Sequence, residues 1–451
     1  MYSQLLAFLP MGGNAAMKAV NRKAEDIVLS VVLFIAVLFG SMLGATLFGV
    51  SLNKISLIPL LVFSLYIAAR NGIALGKTSA PLFAFYALAI LSSLIALTAS
   101  YASSYEDYAT NLIQEIVQIL VFYVPILMCF SNYDNKGRAL SHLKKSIVYV
   151  CRINVIYSLF QFFFYAALKI DINTYLLAPF YGGDFSTLLT NQGQAGIFMR
   201  VSGFCADAAF LGLILVIGFA FERKAVFKFL IFLVAVLALS RVAIVVIVFQ
   251  IVFRFIKERK YNNITGKGLL LLCLLPAAIA VAFSIESIRT QMEGLLVRFG
   301  NLFGENSAID GSNRHLMYSS KALEILFTKY DPLQFLIGYG PRNSGTIIFN
   351  MHVMDEYLNA GMMTTVWAAE SDVAELLLGY GVVGTLLYLW SLIKLRKAFP
   401  GASVVIASLL LFGIMYNISS STFINLFLVL VSSCATETSK NRKRVARGAH
   451  F

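Results

Sequence analysis

Apolar runs recur along nearly the whole chain, near positions 27–48, 55–69, 80–99, 111–130, 147–168, 203–221, 225–240, 242–256, 268–285, 371–391, 402–418 and 420–435. Most are long enough to cross the ~30 Å of a bilayer's hydrocarbon as a helix. Inside hydrocarbon every backbone N–H and C=O has to be satisfied within the segment, so such runs fold as helices. The pattern predicts an all-α polytopic membrane protein with about twelve transmembrane helices. Composition agrees, with 59% of the 451 residues hydrophobic and 13% charged.

The positions of Lys and Arg predict the orientation. One set of connections reads "KAVNRK", "RNGIALGK", "NKGRALSHLKK", "ERKAVFK", "RFIKERKYNNITGK", "KLRK" and "KNRKRVAR", and the alternate set is poor in basic residues. The basic set is expected in the cytoplasm, with both termini. The formal net charge of +13 then belongs to cytoplasmic loops and does not point to nucleic acid. This divides the chain into a cytoplasmic tail (1–26), a nine-helix membrane region (27–285), a large extracytoplasmic loop (286–370), a three-helix membrane region (371–435) and a basic cytoplasmic tail (436–451). The opening "MYSQLLAFLPMGGNAAMKAVNRKAED" places its short apolar run before its basic residues, the reverse of a cleavable signal. Cys129, Cys151, Cys205, Cys273 and Cys434 lie in or beside apolar runs, which argues against a disulfide framework or a zinc site.

At ~85 residues the loop between the ninth and tenth helices is far longer than ordinary helix connections, and loops of that size are functional or disordered. Its "LFTKYDPLQFLIGYGPRNSG" mixes aromatics, aliphatics and turn glycines and predicts short helices against the membrane face. Several arginines stand on this outer side, where the positive-inside rule disfavours them. Arg200 precedes a span, Arg241 sits alone between two apolar runs, and Arg298, Arg314 and Arg342 lie in the loop. A guanidinium fork suits phosphate or carboxylate oxygens, so a cluster near the outer surface suits a lipid-linked diphosphate. Simple pairing is the other reading: Arg200 with Asp207, or Arg314 with Asp310.

The stretch "WAAESDVAELLLGYGVVG" puts Glu370, Asp372 and Glu375 at the outer mouth of a hydrophobic helix. Acids there favour the positive end of the helix dipole, and Ser371 or Asp372 could serve simply as an N-cap. Read functionally, Glu370 or Asp372 is the base that takes a proton from an attacking sugar hydroxyl, and the other orients the acceptor. His315 and His352 also fall outside, while His142 and His450 are cytoplasmic. No metal-ligand spacing, Walker loop or dinucleotide fingerprint occurs, so the expectation is a metal-independent reaction without a cofactor on a preactivated substrate.

Five stretches in order, "RVSGF" before a span, "LSR" at a tight outer turn, "SNRHLMYSSKAL", "LIGYGPRNSG" and "AESDVAELLLGYGVVG", resemble the polysaccharide polymerase and O-antigen ligase superfamily of bacterial surface glycan assembly. The resemblance spans roughly Arg200 to Gly384. It implies a GT-C-like fold and action at the outer face of the bacterial cytoplasmic membrane on oligosaccharides carried by undecaprenyl diphosphate, with a chain-length regulator and a flippase as further partners beside the bilayer. Carried over by position, Arg200, Arg241 and Arg314 match arginines that hold the diphosphate, and Gly338, Tyr339 and Gly340 match a Gly-x-Gly turn late in the loop. Arg342 follows that turn and joins the substrate-binding set. Ligases of the family have His-Asn where this chain has Glu370 and Ser371, so the resemblance favours a polymerase. A ligase-type glycan transferase is the alternative. A flippase or secondary transporter is a further one, disfavoured by the absence of internal repeats and by the bias of the candidate residues to one face.

Overall fold

The computed structural model describes residues 12–42, 45–47, 50–98, 106–177, 180, 200–205, 208–259, 314–328, 331–350 and 371–435. It is helical almost throughout. In chain order the helices used below are α1 (Gly12–Gly40), α2 (Leu57–Asn71), α3 (Ala80–Thr98), α4 (Glu106–Gln118), α5 (Val124–Ser131), α6 (Lys136–Leu168), α7 (Ala208–Phe221), α8 (Ala225–Leu237), α9 (Arg241–Arg259), α10 (Arg314–Thr328), α11 (Pro332–Ile337), α12 (Ser344–Asn350), α13 (Tyr380–Leu395), α14 (Ala402–Met415) and α15 (Thr422–Cys434). After α1 a two-residue hairpin pairs Thr46 with Ser51 and Leu47 with Val50, antiparallel.

Among the described residues, five segments are long and apolar enough to cross a membrane: Leu52–Asn71, Ala80–Thr98, Tyr108–Ser131, Lys136–Leu168 and Asp372–Leu395. They coincide with the predicted spans at 55–69, 80–99, 111–130, 147–168 and 371–391. Four further apolar helices, α7, α8, α14 and α15, are shorter, at 13 or 14 residues. The predicted spans at 27–48 and 242–256 fall on α1 and α9, which carry several charges, and the run at 268–285 lies outside the described residues. These apolar helices fit a multi-pass membrane protein. Their outward faces are apolar, as on α2, where Ile58, Val62 and Leu65 are all at least half exposed, a surface that suits lipid and not water.

One of these shorter helices is buried throughout. Every residue of α15 is buried, as expected of a helix that is apolar all round. It packs against α5 and α6. On α15, Ser433 Oγ donates to Val429 O at 2.6 Å, and Asn425 Nδ2 to Ser419 O at 2.6 Å. A second apolar cluster joins Tyr318, Ala322, Ile325 and Leu326 of α10 and Ile347 and Ile348 of α12 to Ala96, Leu112 and Leu378 of the bundle. The described part of the large loop is therefore packed onto the membrane helices as short helices.

Two spans are irregular. Between α4 and α5 the residues Ile119–Tyr123 form a π-helical turn. Pro125 follows at the head of α5 and brings neither an N–H nor room for the preceding carbonyl, which accounts for the widened turn. The second irregularity is a π-turn at Glu375–Gly379, after which Gly381 takes φ 67 and ψ −175 and breaks the span.

Candidate functional site

A broken helix frees backbone groups, and at membrane depth these need partners within the protein. Here the partners come from the loop. Tyr339 N donates to Leu378 O at 2.6 Å and Gly340 N to Gly379 O at 3.1 Å, while Ser92 Oγ of α3 also reaches Gly379 O at 3.2 Å. Two Gly-Tyr-Gly stretches, 338–340 and 379–381, thus lie backbone to backbone. A Cβ on Gly338 would stand 2.5 Å from Gly379 C, and one on Gly381 would stand 2.5 Å from Leu336 C. Only glycine permits this approach. Upstream, Asp331 caps α11 by accepting from Leu333 N and Gln334 N at 2.9 and 3.3 Å, with Pro332 at the first helical position.

The chain leaving this clasp enters Arg342, whose φ of 62 is left-handed, a conformation that costs a non-glycine residue ~1–2 kcal/mol. What holds it there is a set of directed contacts. Its backbone N–H donates to Glu375 Oε1 at 2.5 Å, and Ser344 Oγ donates to the other oxygen of the same carboxylate. Its Nη2 donates to Gln118 Oε1 at 2.8 Å. Its Nε lies 2.6 Å from Glu115 Oε2, out of line for a hydrogen bond, so both of those buried atoms lack a hydrogen-bond partner. The Arg342 side chain is 20% exposed and that of Glu115 4%. Burial works against the arginine's charge, but the carboxylate of Glu115 and its neighbours outweigh this and hold its pKa above the ordinary value.

Glu115 and Gln118 belong to a polar stripe on α4. Tyr108, Asn111, Glu115 and Gln118 recur at helical spacing and share one face. Tyr108 Oη donates to Tyr339 O at 2.5 Å, and Asn111 Nδ2 to Asn343 Oδ1 at 3.2 Å. Leu112 fills the space above Gly340. The stripe grips the loop along 339–343. It continues inward through Gln118, whose Nε2 donates to Tyr123 Oη at 2.5 Å and to Thr422 Oγ1 at 3.1 Å. Tyr123 stacks on Tyr86, and Tyr86 Oη donates to Asn425 Oδ1 at 3.0 Å. Lys54 adds a second cation within Coulombic range of Arg342 and Glu115, its Nζ donating to Gln114 Oε1 at 3.1 Å.

The sequence-predicted residues divide between two places. Arg342, Gly338, Tyr339 and Gly340 meet the start of the broken span, where Asp372 is 7% exposed. Asp372 Oδ1 accepts from Ile418 N and Ser419 N at 2.8 and 2.7 Å, which ties this end to the connection between α14 and α15. The N-cap is Ser371, whose Oγ accepts from Val373 N at 3.2 Å and lies 2.7 Å from Ser319 Oγ of α10. The glycines of the turn are occupied by protein backbone and Leu112, so their close packing serves the fold.

Arg200 lies against the turn that precedes Arg241. Arg200 Nε donates to Ala238 O at 2.9 Å, in the turn that leads through Leu239, another left-handed residue with φ 49, to Arg241 at the head of α9. The "RVSGF" segment is fixed to α6 by buried amides: Ser202 N and Gly203 N donate to Gln161 Oε1 at 3.2 and 3.3 Å, and Phe204 N to Asn154 Oδ1 at 3.1 Å. Arg314 opens α10, but its side chain lies outside the described residues, as do Glu370, Asp207, Arg298 and Asp310. Among the described residues, no group of three or more His, Cys, Asp or Glu side chains is placed to hold a metal ion.

Sequence reasoning missed Glu115, Gln118, Lys54 and the amides of α6. The signal was present: acids and amides at helical spacing within an apolar run are costly in lipid and therefore face protein or cavity. No family model matches this chain, and no curated protein matches it.

Proposed function

We propose that the chain is a glycan repeat-unit polymerase of the cytoplasmic membrane of a bacterium, with about twelve spans, both termini in the cytoplasm and its site at the outer face. A hydroxyl at the nonreducing end of one lipid-linked oligosaccharide attacks the anomeric carbon of a second. The new C–O bond forms as the bond to the polyprenyl diphosphate breaks, and the diphosphate leaves with the electron pair. Preorganised cations facing that leaving group supply the largest stabilising term in such a transfer. Arg200, Arg241 and Arg314, with Arg342, are the residues assigned to it, and the acids at the head of the broken span and on α4 handle the hydroxyl proton and position the acceptor. The observation that carries this reading is the gathering of Arg342, Glu115, Gln118 and Glu375 at one end of the bundle, held by a clasp between the loop and a broken span.

The test is a gel of surface and lipid-linked glycans from a deletion strain complemented with wild type, Arg314→Ala or Arg342→Gln. The ladder collapses to single repeats in the deletion strain, returns with wild type and fails to return with either variant. Long chains that persist on the lipid carrier would instead mark a ligase, and an unchanged ladder would return the question to transport.

A further inference from the structure

Three carboxylates lie at the end of the bundle where the loop is clasped, and two have their oxygens engaged by the fold. Asp372 Oδ1 binds two backbone N–H groups, and Glu375 receives one backbone N–H and the Ser344 hydroxyl. Glu115 differs. Its residue is 3% exposed, its Oε2 has no hydrogen-bond partner, and that oxygen lies 2.6 Å from Arg342 Nε, off the hydrogen-bond axis. Buried polar groups are hydrogen-bonded in the great majority of cases, so each exception needs an account. This exception has company: Arg342 Nε, and Ser420 Oγ and Ser421 Oγ beside Thr422, are buried without partners too, and Gln118 links Arg342 to Thr422. A buried carboxylate oxygen that lies beside an arginine and accepts no hydrogen bond calls for a ligand that brings hydroxyl groups.

We infer that Glu115 is the base of the transfer reaction, and the inference rests on the polymerase reading. The acceptor sugar's hydroxyl donates to the Glu115 carboxylate. As its oxygen bonds to the anomeric carbon, the proton passes to Glu115, and the diphosphate departs with the electrons of the broken C–O bond. Gln118 is a positioning residue: it holds the Arg342 guanidinium beside the carboxylate. The proton then returns to solvent, and the carboxylate is restored.

The experiment uses the purified full chain in liposomes, with lipid-linked oligosaccharide extracted from the deletion strain as the probe. Initial rates are measured across pH for wild type, Glu115→Gln and Glu115→Asp. Removal of a general base lowers turnover about a hundredfold or more. Glu115→Gln is expected to show that loss, with KM within a few-fold of wild type and without the acidic limb of the rate profile, while Glu115→Asp keeps the limb at reduced rate. A merely structural Glu115 would move KM and thermal stability together and leave the limb in place, which overturns the inference. If Glu115→Gln fails to fold, an acidic limb that is unmoved in Glu115→Asp at full turnover overturns it equally. A wild-type protein that links no repeats at any pH removes the polymerase reading itself, and this inference with it.

Discussion

A methyl group on Gly381 has no space to occupy. Its backbone, at φ 67 and ψ −175, lies in a region open essentially to glycine, and the added Cβ would stand 2.5 Å from Leu336 C and 2.6 Å from Gly338 N. The conformational penalty of ~1–3 kcal/mol and a similar overpacking term together predict a loss of about 3 kcal/mol for Gly381→Ala. Thermal unfolding in detergent checks this, with Gly137→Ala as control, where a Cβ meets nothing within 4 Å and stability is expected unchanged or raised. At this scale the sequence announced the turn glycines and Arg342 but not their use. The "GYG" of the loop looked like a ligand turn, whereas its partner is the other "GYG", and a contact between segments so far apart is set by tertiary packing. Glu115 went unremarked because one acid in an apolar run barely alters its hydropathy, and its spacing from Tyr108, Asn111 and Gln118 carries meaning only once the loop lies on that face.

Helix ends are fixed by comparably directed contacts. At the other end of α7, Glu222 is 1% exposed and takes a two-pronged contact from Arg152 of α6, Nε to Oε2 at 2.7 Å and Nη2 to Oε1 at 2.9 Å. It also accepts from Arg223 N and Lys224 N at 2.7 and 2.8 Å. Burial alone would raise its pKa, but the arginine and the two backbone donors outweigh burial and hold it below the ordinary glutamate value. A depressed carboxyl pKa stabilises the fold fully above its unfolded value of about 4.3 and loses that contribution as pH falls through the lower folded value. Wild type should therefore lose stability relative to Glu222→Gln as pH is lowered below about 4.3, and at neutral pH the variant should be the less stable by ~3 kcal/mol, as when one partner of a buried pair is removed. Melting curves of both proteins against pH decide the matter; parallel curves would contradict the assignment. Periodicity and hydropathy located these helices well, because apolar length is a local property. They did not reveal the π-turns at 119–123 and 375–379 or the break at Gly381, which arise where a proline or a close neighbour overrides the local pattern.

For the molecule as a whole, the described apolar helices fit a multi-pass membrane protein. The clasped loop, the left-handed Arg342, the π-turn at Glu375–Gly379 and the buried acid on α4 are joined through the contacts of Arg342. Strained residues and π-turns concentrate at functional sites, and here Arg342 lies beside a carboxylate oxygen that accepts no hydrogen bond. The central claim is that this end joins lipid-linked oligosaccharides by displacing a polyprenyl diphosphate. Its most direct test counts both products at once: purified protein in liposomes is supplied with lipid-linked oligosaccharide, and released polyprenyl diphosphate and chain length are followed together. The account predicts one diphosphate released for each linkage formed, with both products absent for Arg342→Gln. Release without chain growth, or no release of lipid diphosphate at any substrate concentration, would contradict it.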